Sequence, residues 1–168
     1  MSLKLIKRLC RHLFVLPNNA RRHFTVDAMQ RIEANIAKHE STHAGEICFV
    51  VESHLHILDI CKRKSAKKRA IEVFSQMHVW DTEHNNGILI YLLLADHDFE
   101  ILADRGIHQH VGAEGWEQIS KKMESMFRQG QFEAGVSYGI TQIGGQLAKH
   151  YPANNHKKNE LSDAPIII

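Results

Sequence analysis

The fold class predicted is α/β: a three-layer α/β/α sandwich around a small mixed β-sheet. Three observations predict it. Helical and strand-like segments alternate in the order α-β-α-β-β-α-α. Two of the strands, 46–52 and 88–95, are short and almost wholly apolar, the pattern of strands buried on both faces. A helical stretch separates these two strands, so they should run parallel through a right-handed crossover, whereas Asp96-His97-Asp98 turns tightly back into an antiparallel third strand. Composition agrees: 168 residues, 43% hydrophobic and 24% charged, suit one domain with short extensions.

Residues 1–24 carry Lys4, Lys7, Arg8, Arg11, Arg21 and Arg22 and no acid, which leaves the remainder net acidic. Leu5, Ile6, Leu9, Leu13 and Leu16 fall near helical spacing, with most of the basic residues off that face. A secretory signal needs about 7–15 uninterrupted apolar residues. Lys7, Arg8, Arg11 and His12 break the run, so no signal peptide is expected. The arm is expected either to pack its stripe on its own domain or a second subunit, or to dock on a protein partner or an anionic membrane surface. Nucleic acid is the least favoured partner.

Thr25 is placed to cap a helix over 26–40, with Met29, Ile32 and Ile36 on its core face. Glu46–Glu52 reads as the first strand, and a long helix is expected from Ile57 to Val79. Trp80–Gly87 is a polar connection closed by Asn86-Gly87, a strong turn signal. Ile88–Ala95 is the central strand and Phe99–Ala103 its antiparallel partner. Val111-Gly112 introduces a helix over 113–129, with Trp116, Ile119, Met123 and Phe127 inward and Gly130 at its C-terminus. The last helix, from Phe132 to about Lys149, carries small residues that suit close helix contact. The expected division is a basic arm over 1–24, an α/β domain over 25–152 and a disordered polar tail over 153–168. The longest uncharged apolar run, Ile88–Ala95, is far short of the roughly 20 residues that span a bilayer, so no transmembrane segment is expected.

This topology sends particular loops to one sheet end. The parallel strands begin at Glu46 and Ile88 and the antiparallel one ends near Ala103, so Glu46, Asp81, Glu83, Asn85, Asn86 and Asp104 should gather there. Calcium takes about six to eight oxygen ligands from carboxylates, amides and carbonyls, and magnesium would keep more water. These six residues are therefore the candidate metal ligands; the bland alternative is a turn at Asn85-Asn86-Gly87 and a helix cap at Asp104. His54 and His56, or His108 and His110, could each offer zinc two nitrogens, but cysteines at regular spacing are missing. Cys48 should be buried in mid-strand and inert, and the three cysteines show no disulfide pattern. No nucleotide-binding, nucleophile-elbow or zinc-protease motif occurs, so no nucleotide cofactor is expected.

The segments Thr42-His-Ala-Gly-Glu-Ile47, Ala70–Trp80, Asn85–Leu94, Phe99–Ile107 and Phe127–Val136, taken in order, resemble the TPM domain family. That family occurs in thylakoid-lumen and photosystem-repair proteins and in many bacterial proteins. The resemblance runs from about Phe24 to Pro152. It implies an α/β/α sandwich and divalent-cation binding, and a plant member is credited with acid phosphatase activity. Its matched polar positions here are Glu46, Asn86, Gly87, Asp104 and Gly106; Asp81 and Glu83 fall in a variable loop. Family members usually carry an export signal and many a C-terminal anchor, neither of which is read here. The expectation is thus a cytoplasmic domain, peripheral at the inner membrane face, acting as a divalent-cation-binding interaction module. The alternative is a metal-dependent phosphatase, with Asp104 and Arg105 as its candidate catalytic residues.

Overall fold

The computed structural model describes residues 3–14, 19–153 and 159–168. β1 (Glu46–Glu52) pairs parallel with β2 (Gly87–Leu93), in register from Glu46↔Gly87 to Glu52↔Leu93. A short 3-10 turn, Leu94–Asp96, then reverses the chain at His97, whose φ is 53°. β3 (Asp98–Ala103) returns antiparallel to β2. A two-residue β4 (Ile166–Ile167) pairs parallel with β1, giving the order β3-β2-β1-β4.

Alternation along the central strands divides the core in two, because successive side chains point to opposite faces. Ile47, Phe49, Val51, Ile88, Ile90 and Leu92 face one helical layer: α3 (Val26–Glu40), α6 (Arg105–Arg128) and α7 (Phe132–His150). Cys48, Val50, Leu89, Tyr91 and Leu93 face the other, α4 (Ile57–Cys61) and α5 (Ala66–Gln76). The sandwich is the expected fold, and Thr25 caps α3 as expected, its hydroxyl accepting from Ala28 N at 3.2 Å.

Three expectations need correction. The helix read over 57–79 is two helices, because Arg63 takes a left-handed φ of 56° and Ser65 recaps the chain by accepting from Lys68 N. α6 begins at Arg105 rather than 113; Asp104 caps it, and Gly112 (φ 71°, ψ 171°) kinks it where the sequence suggested a start. The expected tail is not all free. Residues 154–158 lie outside the described residues, but Ile168 N donates to Val51 O and β4 seals part of the β1 edge.

The N-terminal arm is built into the molecule. α1 (Leu3–Phe14) sets Leu5 and Leu9 against the α4–α5 core, and α2 (Asn19–His23) buries Ala20, whose backbone N donates to Ser53 Oγ. Phe24 lies in the core against Phe49, so the domain begins before the expected boundary at residue 25. Leu16, the last residue of the predicted stripe, is outside the described residues.

One carboxylate locks α1 down. Asp96 accepts from Arg8 at 2.6 Å, from Arg11 at 3.3 Å and from His12 Nε2 at 3.0 Å. His12 is buried, and its Nδ1 accepts from Leu55 N, so the ring proton sits on Nε2 and points at Asp96. Burial alone would raise the Asp96 carboxyl, but His12 and Arg8 outweigh it and hold the group down to about 2. A depressed carboxyl stabilises the fold fully above its ordinary value, near 3.8, and loses that contribution as pH falls through about 2. Asp96→Asn is expected to cost about 2 kcal/mol at neutral pH and to flatten acid unfolding between pH 4 and 2. Circular dichroism across that range checks it; an unchanged acid profile would show that the latch contributes nothing.

A second buried network pins β1 to β2 and α5. Glu52 Oε2 accepts from Tyr91 OH at 2.6 Å and from Arg69 Nε at 2.9 Å. Burial, and then the adjacent Glu52 charge, push the Tyr91 hydroxyl well up, so it remains a donor.

Candidate functional site

The expected loops do converge where β1 and β2 begin. Asn86, 1% exposed, ties the two entry loops together: its backbone N donates to Thr82 Oγ1 at 3.0 Å and its Nδ2 to Ala44 O at 3.1 Å. Asn85 takes a left-handed φ of 52°, which asparagine tolerates better than most residues. That turn presents its carbonyl to Gly106 N at 2.9 Å, and its side-chain Oδ1 accepts from Arg105 Nε and Nη2 at 3.3 and 3.2 Å.

Asp104 joins this turn to α6. Its backbone N donates to Gly87 O, and its Oδ1 accepts from Arg105 N at 2.7 Å, the N-cap contact. Its Oδ2 is buried and has no donor among the described residues. A Cβ on Gly106 would lie 2.5 Å from His84 O, 2.6 Å from Asn85 O and 2.9 Å from Tyr151 OH. Two carbonyls and a phenol therefore crowd the first turn of α6 just beyond Asp104. Burial, and then the Asp104 charge, raise the Tyr151 hydroxyl above its ordinary value.

The structure separates the six candidates into a group of three, a group of two and one residue apart. Asn85, Asn86 and Asp104 belong to the turn just described. Glu46 and Glu83 instead meet the C-terminal segment: Glu160 N donates to Glu46 Oε1 at 3.3 Å, while the Glu160 carboxylate accepts from Glu83 N. Asp81 is exposed. Among the described residues no group of three or more His, Cys, Asp or Glu side chains could hold a metal ion. Glu160 and Tyr151 were missed by sequence reasoning, because both reach the site from segments without a local motif.

The other chemistries find little support in the geometry. His56 Nδ1 accepts from Leu58 N as the cap of α4, and His110 stacks on His150 with centroids 4.7 Å apart. Burial pushes the Cys48 thiol up to about 11, which keeps it protonated and inert. Arg105 is committed to Asn85.

A family model described as the TPM domain matches residues 19–146. Among solved structures, the chain is similar to the BA42 protein of the psychrophilic bacterium Bizionia argentinensis. The identity is 28%, over 86% of this chain and 95% of that one, with a TM-score of 0.76. It is also similar to the N-terminal domain of a protein from P. gingivalis, at 18% identity over 79% of this chain and 83% of that one. The TM-score there is 0.62, a likeness of fold alone. No protein of curated function matches the chain.

Proposed function

The chain belongs to the TPM domain family, and from that premise we propose that it is a divalent-cation-binding interaction module whose ion sits at the turn joining Asn85 to Asp104. The observation that supports this most is Asp104 Oδ2, a buried oxygen on a half-buried carboxylate, with no donor among the described residues. An unsatisfied buried charge is costly unless something positive meets it. Asp104 would be the charged ligand, and carbonyl oxygens of the 84–85 turn the neutral ones. A side chain at Gly106 would run into those carbonyls, and Arg105 donates to Asn85 Oδ1. A bound cation would supply a fixed positive charge that stiffens the turn and can bridge it to an anionic partner group.

Asp104→Asn tests the site without removing the helix cap, since asparagine caps as well as aspartate. Calcium or magnesium at about ten times its Kd is expected to stabilise the wild type by about 1.4 kcal/mol, or roughly 3–6 °C in Tm. Isothermal calorimetry and thermal unfolding should show that gain lost in Asp104→Asn. Equal gains in both proteins, or none in either, would remove the site. Cation-dependent turnover of a generic phosphoester that disappears in Asp104→Asn would move the reading to a metal-dependent phosphatase with Asp104 and Arg105 at its centre.

A further inference from the structure

α1 has two working faces. Leu5, Arg8, Leu9 and His12 turn inward onto the domain. At 3.6 residues per turn, Leu3, Ile6, Cys10, Leu13 and Phe14 fall within about 100° of one another on the outward side. That side is not covered by the described residues: Leu13 is 60% exposed and Phe14 83%. Lys4, Lys7 and Arg11 line one edge of the stripe, all exposed, with Arg11 also 3.3 Å from Asp96, and the helix contains no acid. Arg63 lines a cavity with Lys4, Leu5 and Arg8. On the neighbouring α4, Ile57 and Leu58 are also exposed.

We propose that this outward face of α1 docks on an anionic lipid bilayer. An apolar stripe edged by lysine and arginine is what an interfacial helix presents. Its large side chains enter the boundary between headgroups and acyl chains, and its cations meet the anionic headgroups. The latch on Asp96 serves the same end. It spends Arg8 and His12 on holding the helix in a fixed orientation, so the stripe faces outward before any lipid is met. The inference deepens the interaction-module reading by naming the partner, and it places the protein peripherally at a membrane face. It does not depend on the cation.

Co-sedimentation with phosphatidylcholine vesicles, with and without phosphatidylglycerol and with chelator present, tests it. Binding is expected only with the anionic lipid, and it should fall steeply as salt rises from about 0.1 to 1 M and the Debye length shrinks from about 10 to 3 Å. Leu13→Glu with Phe14→Glu should reduce partitioning at least tenfold with Tm unchanged. Lys4→Gln and Lys7→Gln should each reduce it roughly fivefold. Asp104→Asn should bind vesicles like the wild type, so loss of the cation site and loss of this surface are separable. Equal binding to both vesicles, no binding to either, or binding that ignores salt or the Leu13/Phe14 change would overturn the proposal. So would a dimer by light scattering that the same change dissociates, since the stripe would then belong to a second copy.

Discussion

Glu52→Ala is expected to destabilise the protein by about 3–5 kcal/mol, the cost of breaking a buried ionic contact by removing one partner. Among the described residues Glu52 is the one acceptor of the Tyr91 hydroxyl, and it neutralises Arg69 at the edge of the α5 core. Its loss leaves a buried phenol without an acceptor and a guanidinium with only a long contact to Glu72, at 3.4 Å. A domain of this size has about 5–15 kcal/mol in total, so the variant should stand at the edge of folding. Tyr91→Phe removes the hydroxyl but keeps the ring, and should cost about 1–2 kcal/mol. Urea unfolding of the two variants checks the network. A Glu52→Ala loss below that of Tyr91→Phe would mean that Arg69 gains nothing from the carboxylate.

Gly87→Ala should be about as damaging, for a purely steric reason. An added Cβ would lie 1.9 Å from Val79 O and 3.0 Å from Val79 C, so it meets backbone. Val79 is itself held by its N–H to Phe74 O, and Gly87 starts the central strand in register with Glu46. Neither segment can yield without disturbing sheet and helix together. We expect a loss of about 3 kcal/mol or more, at the upper end for overpacking. Gly145→Ala is the internal control: its Cβ would meet nothing within 4 Å, and alanine favours a helix over glycine by up to about 1 kcal/mol. Thermal unfolding should therefore move in opposite directions for the two. A mild Gly87→Ala would mean that the 79–87 loop is free to shift.

The contrast between what local pattern encodes and what it does not runs through particular residues. The three main strands were legible because each is an apolar run bounded by turn residues, and Thr25 because an N-cap is a local bond. The break between α4 and α5 hung on a left-handed arginine, a residue type that gives no hint of such a conformation. Gly112 did give a hint, but a glycine with positive φ marks a kink and a boundary equally well. The Ile166-Ile167-Ile168 run had strand character all along. Its partner lies far off in sequence, so the polar residues before it dominated the reading. At the candidate site, topology correctly brought the loops to one sheet end. Topology fixes backbone position and not side-chain direction, and so could not foresee that Glu46 would turn to Glu160, whereas the cap at Asp104 was the alternative its position already offered. Likewise the arm's amphipathic spacing was visible, yet which of its faces docks was decided by Asp96.

The pairing of β4 with β1 also sets a schedule for biosynthesis. Val50 and Ile166 are register partners. The ribosome must therefore add more than a hundred residues after β1 before its open side can be closed, which at about 5–20 residues per second takes on the order of 5–25 seconds. Throughout that interval a nascent chain carries a hydrophobic strand with unsatisfied backbone groups along one margin, a template onto which another chain can add. The isoleucines of β4 are thus among the last residues of the sheet to be made, and they cover its Val50–Val51 margin only then.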